Sequence, residues 1–269
     1  MLEVFLNRDV ANENDMLTFG KLINGIALLC IPNDYYGTAF IADVPEVGAC
    51  LMSAGHNFES LLENMSTDKT IAELGRFKIW FGNVEGEFPN DEQTNELKKG
   101  KAMNLKLFLE TFGCCGSISF KGQRVTFKDG PNGIESKYER HSNTEEDYCA
   151  IWLSSVNKEA LSKYGLDLLQ CGDRQQIKHQ SGSVATLVGH PGHQGWTTAW
   201  PRRLGYGKEV GETDESLQFD YDSLGGNSGS PVFGRGYRVK GIHVRGSNIG
   251  RKNYAQKIDK IKDWINLGK

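Results

Sequence analysis

The chain has 269 residues, of which 24% are charged and 38% hydrophobic, and its formal net charge is −3. This composition is ordinary for a globular protein, and the length suits one large β domain or two small ones. There is no polybasic stretch for nucleic acid, and no apolar run approaches the ~20 residues that span a bilayer. We therefore expect neither nucleic acid nor a membrane as a partner.

The N-terminus and the cysteines indicate a location. Residues 1–15 have no basic start, long apolar core or small-residue cleavage site, so they do not resemble a secretory signal. The six cysteines match no zinc-binding spacing, and none lies beyond Cys171. These features predict free thiols in a reducing, intracellular compartment.

Apolar runs predict strands in the first part of the chain. They lie at 23–31, 36–42, 49–54, 77–81, 117–120 and 124–127. Residues 121–123 separate the last two and predict a hairpin, and a turn rich in Gly and Pro follows at 129–133. Residues 59–110 are richer in charge, with a helix-like stretch at 92–97, and we interpret them as a largely irregular insertion.

The second part of the chain begins after an acidic turn and an apolar strand at 145–153. Residues 154–182 are polar and resemble a linker, with a short helix predicted near 158–164. Strands are predicted at 183–189, 231–233 and 238–244, and a helix over 255–265, where Ile258, Ile261 and Ile265 share one face.

A glycine-rich loop at 225–233, with the sequence GGNSGSPVF, carries the strongest functional signal. Glycine tolerates backbone angles that other residues avoid, so such a loop folds tightly and lets its amides approach a ligand. A hydroxyl presented beside free amides is what an acyl-transfer nucleophile needs, which points to Ser228.

The loop resembles that of chymotrypsin-fold serine proteases, and most closely the glutamyl-endopeptidase (V8-like) branch. That branch combines GGNSGSPVF with a GIH strand and a preceding LQYD-like segment, which correspond here to 241–243 and 217–220. Two earlier segments, GTAFIA at 37–42 and CLMSAGH at 50–56, resemble the family's GSGF and VLTAAH, with Gly55 in place of an Ala.

The resemblance implies an all-β fold, a chymotrypsin-like double β-barrel with a C-terminal helix packed on the second barrel. The first barrel would comprise residues 1–160, with the insertion near 59–110. The second would comprise residues 161–269 and end in the helix. The linker-like residues after 154 would join the two barrels.

His56, Asp147 and Ser228 would form the catalytic triad. Imidazole suits the role of base because it titrates near neutrality, and a carboxylate fixes its tautomer. The order His, Asp, Ser belongs to the chymotrypsin fold, whereas α/β-hydrolases follow Ser, Asp, His. The amides of Gly226 and Ser228 would hold the oxyanion.

Other residues could fill some of these roles or bind a metal. Glu145, Glu146 and Asp129 are the alternative carboxylates. His190 and His193 resemble a metal-ligand pair, but the Pro and Gly between them favour a loop, so we expect no metal and no cofactor.

Two departures concern activation and disulfides. Trypsin-like enzymes have an Asp before the serine, which pairs with a new N-terminal amine after zymogen cleavage. The neutral Asn227 cannot form that ion pair, which implies an enzyme not activated by this route. Secreted members also have cysteines beside the catalytic His and around the Ser, and this chain lacks them.

Specificity follows from the same resemblance. In the glutamyl branch, the strand His and a hydroxyl five residues before the nucleophile bind an acidic side chain, and these positions fall on His243 and Ser223. A similar His serves glutamine recognition in viral chymotrypsin-like proteases. Asp222 in the pocket would instead favour Lys or Arg, unless Arg245 offsets it. The expected order is Glu, then Gln, then basic residues.

The sequence thus predicts a serine endopeptidase that hydrolyses a protein or peptide substrate through an acyl-enzyme. One alternative is a catalytically silent chymotrypsin-fold binding module. Another is an esterase on an α/β fold, which the residue order and the scarcity of alternating strands and helices oppose. The oligomeric state stays open.

Overall fold

A computed structural model describes residues 3–4, 23–31, 35–64, 73–81, 102–113, 115–154, 161, 165–191, 203–247 and 252–267. Most of them lie in β-strands. In chain order the strands are β1 Glu3–Val4, β2 Ile26–Ile31, β3 Tyr35–Val44, β4 Gly48–Ser53, β5 Lys78–Phe81, β6 Ala102–Asn104, β7 Cys115–Phe120, β8 Gln123–Gly130, β9 Gly133–Arg140, β10 Asp147–Trp152, β11 Leu169–Gln170, β12 Val184–Gly189, β13 Arg203–Glu212, β14 Ser216–Phe219, β15 Pro231–Phe233, β16 Val239–Ser247 and β17 Lys252–Lys257.

The helices are short and lie around the two sheets. The α-helices are α1 Glu59–Asn64, α2 Leu105–Phe112, α3 Arg174–Ile177 and α4 Ile261–Asn266. Short 3-10 helices span Ile23–Gly25, Gly55–Phe58, Arg235–Tyr237 and Ile258–Lys260. The helix-like stretch at 92–97, and the helix predicted near 158–164 apart from Leu161, lie outside the described residues.

The first sheet runs in the order β6-β5-β2-β3-β4-β10-β7-β8-β9, and the paired neighbours are antiparallel. The hairpin predicted around residues 121–123 is confirmed. The described parts of 59–110 are not irregular, because β5 and β6 extend the sheet and α1 and α2 pack their apolar residues into its core. The strand β9 was not predicted, because its sequence is mostly polar and contains no apolar run. It pairs with β8 and leaves most of its side chains half-buried or exposed.

The second sheet closes on itself. Among the described residues, six strands follow the order β13-β12-β15-β16-β17-β14, and β14 pairs again with β13 to complete a barrel. β1 adds to β13 in parallel. Between the two sheets, β11 pairs in parallel with β3 and so joins the first sheet. The predicted boundary at residue 160 stays a prediction.

The C-terminal helix departs from expectation in extent and in position. Residues 255–257 belong to β17, and α4 begins only at Ile261. The helix packs on the first sheet and not, as expected, on the second barrel: the Trp264 ring stacks on Tyr148 at a centroid distance of 4.0 Å. The Ser117 hydroxyl donates to the Trp264 carbonyl at 2.9 Å. Trp264 explains this position, because its ring stacks on β10 and its carbonyl accepts from β7.

The face predicted from Ile258, Ile261 and Ile265 is buried. These side chains join a core cluster that contains residues of both sheets, such as Met52 and Val239. The C-terminal segment therefore holds the two halves together, which fixes the cleft between them where the candidate site lies.

Five of the six cysteines lie in the described residues, where all five are buried and form no disulfide with one another. Cys114 lies outside the described residues. Burial raises the pKa of the Cys30 thiol to about 12, partly offset by Lys78, and burial also raises that of Cys149. Within the described ranges, no helix is long and apolar enough to cross a membrane.

Candidate active site

His56 and Asp147 meet where the first sheet faces the barrel. His56 lies in the 3-10 helix that follows β4, and Asp147 is the first residue of β10. The two Asp147 oxygens hold the histidine twice: Oδ1 accepts from the His56 backbone amide at 3.0 Å, and Oδ2 lies 2.8 Å from Nδ1. The ring is therefore fixed in position and orientation, and its Nε2 has no hydrogen-bond partner in the described part of the chain.

Asp147 is itself held from the second barrel. Its backbone amide donates to Oε1 of the fully buried Gln256 on β17, at 3.2 Å. The Gln256 amide nitrogen donates in turn to the Glu215 carbonyl at 3.0 Å. The position of the candidate carboxylate thus depends on a contact between the two halves of the molecule.

The loop that carries Ser228 is fastened to the strand β3 and to the residue after His56. The Thr38 amide and the Asn57 side-chain amide both donate to the Ser228 carbonyl, at 2.8 and 3.0 Å. The Thr38 hydroxyl donates to the Gly226 carbonyl at 3.0 Å. These bonds place the backbone of Ser228 beside His56.

Glycine is required at two positions of this loop. Gly226 and Gly229 both have φ near +89°, a conformation that side chains with a Cβ rarely adopt. A Cβ on Gly229 would also lie 1.9 Å from the Thr38 carbonyl oxygen. The resulting turn leaves the amides of Gly226 and Ser228 without a hydrogen-bond partner within the described part of the chain.

No hydrogen bond joins Ser228 Oγ to His56 Nε2 among the described residues, so the structure places the residues as neighbours without completing the contact. Catalytic hydrogen bonds are often long without substrate and tighten when substrate binds.

A cleft of about 480 Å³ opens beside Ser228. It brings together all four residues predicted for the substrate pocket, which are Asp222, Ser223, His243 and Arg245. Its remaining described lining is Tyr221, Leu224, Gly225, Gly246 and Asn253. A larger cleft of about 630 Å³ lies between α3 and the C-terminal segment, and its described lining includes no residue of the predicted triad.

His243 is buried at one side of the 480 Å³ cleft. Its Nδ1 lies 3.0 Å from the hydroxyl of Tyr221, which is also buried. Burial, with a smaller contribution from the nearby His56, lowers the pKa of His243 to about 3. Burial likewise raises the pKa of Tyr221 well above 10. Both groups are therefore uncharged at neutral pH.

Ser223 and the charged residues differ from their expected roles. Ser223 donates its proton to Asn253 Oδ1 at 2.5 Å instead of facing the cleft as a donor. Asp222 and Arg245 are exposed, so Asp222 does not form a buried base to the cleft. The Arg245 guanidinium lies over the Tyr254 ring, 4.7 Å from its centroid.

Comparisons with known proteins agree with this architecture. No protein-family model matches the chain. A stretch of 61 residues is 43% identical to a glutamyl endopeptidase of Staphylococcus epidermidis and 41% identical to one of Staphylococcus aureus strain MW2. This stretch is 23% of the chain and spans 21% and 18% of those two proteins.

The folds are similar over almost the whole chain. The crystal structure of Deg5 matches with a TM-score of 0.53 at 14% identity, covering 95% of both chains. A structure of Glu endopeptidase in complex with MPD has a TM-score of 0.49 at 15% identity, covering 91% of this chain and 90% of that one. The chain has a chymotrypsin-like fold. An α/β esterase is thereby excluded.

Within this chymotrypsin-like fold the alternative carboxylates have other contacts. Glu146 accepts from Ser119 and from Arg124, at 2.9 and 2.8 Å. Glu145 is exposed, and Asp129 lies in β8. Among the described residues, Asp147 is the carboxylate that contacts His56.

Asn227 is buried behind the loop, with 6% of its surface exposed. Its Oδ1 has no partner in the described ranges, and a Cβ on Gly189 would lie 2.9 Å from it. The candidate metal residue His190 is buried, with its amide bonded to the Thr38 hydroxyl at 2.9 Å. The described residues contain no cluster able to hold a metal, and His193 lies outside them.

Four contributors to the site were missed from the sequence: Thr38, Asn57, Tyr221 and Gln256. Thr38 lies within the motif at 37–42, and Asn57 directly follows the motif that ends at His56. The structure explains Gly37, because a Cβ there would lie 2.5 Å from the Asn57 amide nitrogen. Gly55, the departure from the family motif, is explained because a Cβ would lie 2.0 Å from the Ser119 carbonyl oxygen. Tyr221 and Gln256 carry no local signal.

Proposed function

We propose that this chain is a serine endopeptidase that acts through His56, Asp147 and Ser228. The observation that carries the proposal is the double contact of Asp147 with His56. Beside it lies a loop in which the amides of Gly226 and Ser228 have no hydrogen-bond partner among the described residues. The 61-residue similarity to glutamyl endopeptidases supports the same chemistry.

The first step assigns the proton. With Nδ1–H donating to Asp147, the His56 Nε2 holds a lone pair and takes the proton of the Ser228 hydroxyl. The serine oxygen then attacks the carbonyl carbon of the substrate. The negative oxygen that forms is held by the amides of Gly226 and Ser228.

The later steps reverse the roles. The protonated His56 donates to the leaving amine, the peptide bond breaks, and the acyl group stays on Ser228. A water molecule, losing a proton to His56, attacks the acyl carbonyl. The bond to Ser228 Oγ then breaks as His56 returns that proton to the serine oxygen, which releases the carboxylic acid product. Asp147 stabilises the imidazolium in both halves of the reaction.

The substrate is proposed to enter the cleft with the side chain that precedes the cleaved bond. His243 is the proposed donor to that side chain, in keeping with cleavage after Glu or Gln, both of which offer an oxygen. The exposed position of Asp222 weakens the case for basic residues.

The test is Ser228→Ala in the full chain, with peptide hydrolysis and fluorophosphonate labelling as readouts. We expect kcat to fall by on the order of 10⁶-fold and labelling to disappear, while the fold stays intact. Ser230→Ala is the matched control, because its buried hydroxyl is two residues away and has no partner among the described residues. Wild-type protein that is neither labelled nor active would favour the silent binding module.

A further inference from the structure

We propose that the cleft beside Ser228 selects a side-chain carboxamide, that of glutamine, over the carboxylate of glutamate. The inference rests on the proposed endopeptidase function and specifies its substrate. It follows from the polarity of two groups in the cleft, the ring of His243 and the hydroxyl of Ser223, which the surrounding bonds fix as one donor and one acceptor.

The donor is Nε2 of His243. The Tyr221 hydroxyl is buried, and Nδ1 of His243 is its hydrogen-bond partner among the described residues, at 3.0 Å. A buried hydroxyl proton without an acceptor is costly, so the Tyr221 proton points to Nδ1. Nδ1 is then an acceptor, and the ring proton lies on Nε2. A charged ring would need a proton on both nitrogens and would leave the Tyr221 proton unpaired.

The acceptor is Oγ of Ser223. The Asn253 amide nitrogen donates to the Tyr221 carbonyl, which can only accept, and this fixes the orientation of the Asn253 side chain. Its oxygen therefore faces Ser223, whose hydroxyl donates to it at 2.5 Å. With its single proton engaged, Ser223 offers lone pairs alone to a ligand.

These two groups lie on the same side of the cleft. A Cβ on Gly246 would lie 2.9 Å from Asn253 Oδ1 and 3.3 Å from Ser223 Oγ, which places Ser223 against the strand β16 that carries His243. His243 and Ser223 line one cleft with Ser228. A side chain held there meets both groups.

The charges of the cleft do not compensate for a carboxylate. Asp222 and Arg245 are the charged residues of its described lining, and their formal charges cancel. Arg245 is exposed and its guanidinium lies on the Tyr254 ring. A glutamine oxygen accepts from His243 Nε2–H while its amide group donates to Ser223. A glutamate offers two acceptors, so one of its oxygens faces the Ser223 lone pairs.

The experiment measures hydrolysis of matched peptides by the full chain. The peptides differ only at the residue before the cleaved bond, which is Gln, Glu or Lys. We expect kcat/KM for the Gln peptide to exceed that for the Glu peptide by roughly 10- to 100-fold, because one hydrogen bond is replaced by a repulsive contact. Binding of the same peptides to the Ser228→Ala variant should show the same order.

Two near-isosteric variants test the mechanism. Tyr221→Phe removes the proton that holds Nδ1 as an acceptor, and Ser223→Ala removes the acceptor facing the substrate. Each should lower the Gln/Glu ratio of kcat/KM to within a few-fold of unity. Ser230→Ala, which removes a buried hydroxyl outside the cleft, should leave the ratio unchanged. A purely structural effect would reduce both peptides equally.

A preference for Glu that is lost in Arg245→Gln would overturn the proposal and make Arg245 the reader of a carboxylate. A preference for Lys that is lost in Asp222→Ala would overturn it as well. The binding arm separates the two hypotheses: selective binding of the Gln peptide without hydrolysis by the wild type contradicts the endopeptidase function and keeps the carboxamide site. Hydrolysis of the Gln, Glu and Lys peptides at similar rates would support the endopeptidase function and contradict the carboxamide site.

Discussion

Two histidines lie near Ser228, in regions of different polarity. His56, from the first sheet, is partly exposed and contacts the Asp147 carboxylate at 2.8 Å. His243, from the barrel, is 3% exposed and contacts the hydroxyl of a buried tyrosine at 3.0 Å. In both, a side chain that contacts Nδ1 fixes the ring, and Nε2 is the nitrogen left for a further partner.

The difference lies in what each partner does to the proton. A carboxylate accepts from Nδ1, leaves a lone pair on Nε2 and stabilises the charged ring, which suits a base. A buried hydroxyl donates to Nδ1, leaves a proton on Nε2 and offers nothing to a charge, which suits a neutral donor. The same residue type, histidine, thus serves proton transfer in one region and substrate recognition in the other.

The largest expected effect comes from changing the partner of His56. Asp147→Asn keeps the shape but replaces the carboxylate by an amide that cannot stabilise imidazolium and that favours the wrong tautomer. We expect kcat to fall by roughly 10⁴-fold. The measurement is steady-state hydrolysis of a good peptide substrate near neutral pH.

The control is Glu145→Gln, which makes the same chemical change two residues away on an exposed side chain. It should leave kcat within about twofold, since a lone surface charge contributes little. Equal losses in the two variants would show that Asp147 is not the carboxylate of the base.

The next effect concerns His243 and appears in stability as a function of pH. Its pKa is lowered to about 3 by burial and, secondarily, by His56. In the unfolded chain a histidine titrates near ~6.5. Between these values the unfolded state binds the proton and the native state does not, so the free energy of unfolding falls as the pH falls, by up to about 1.4 kcal/mol per unit.

His243→Gln should remove this dependence. Urea unfolding at pH 7, 6 and 5 should therefore show a shallower loss of stability in the variant than in the wild type. His141, whose pKa is lowered mainly by burial, contributes the same slope to both proteins and cancels in the difference. If the free energy of unfolding changed with pH equally in the two proteins, His243 would accept a proton in the native state. That result would contradict the assignment of His243 as a neutral donor.

The smallest expected effect is that of reductant, because neither histidine region contains a disulfide in the described part of the chain. The five described cysteines are buried and form no disulfide with one another. Thermal unfolding with and without dithiothreitol should give the same Tm within error. A drop of several degrees under reductant would indicate a disulfide and an oxidising compartment, and would contradict the proposed intracellular location.

Much of the fold follows from local patterns. Apolar runs identified β2, β3, β4, β10 and β12 to within about three residues, because a buried strand needs apolar side chains whatever its neighbours are. The strand β9 was not predicted because its sequence is mostly polar. The helix α4 was predicted too early, since Ala255 and Ile258 fit a helical face as well as a buried strand followed by a turn.

The sequence by itself determined the loop of Ser228, the position of His56 after β4 and that of Asp147 at the start of β10. Glycine requirements and strand ends are local properties of the chain. Only the tertiary structure decided which polar atom faces which. The pairing of Tyr221 with His243, of Ser223 with Asn253 and of Asp147 with Gln256 joins residues 22, 30 and 109 positions apart. Direction of a hydrogen bond depends on every partner of both groups, and those partners are assembled only by the closed barrel and its contact with the first sheet.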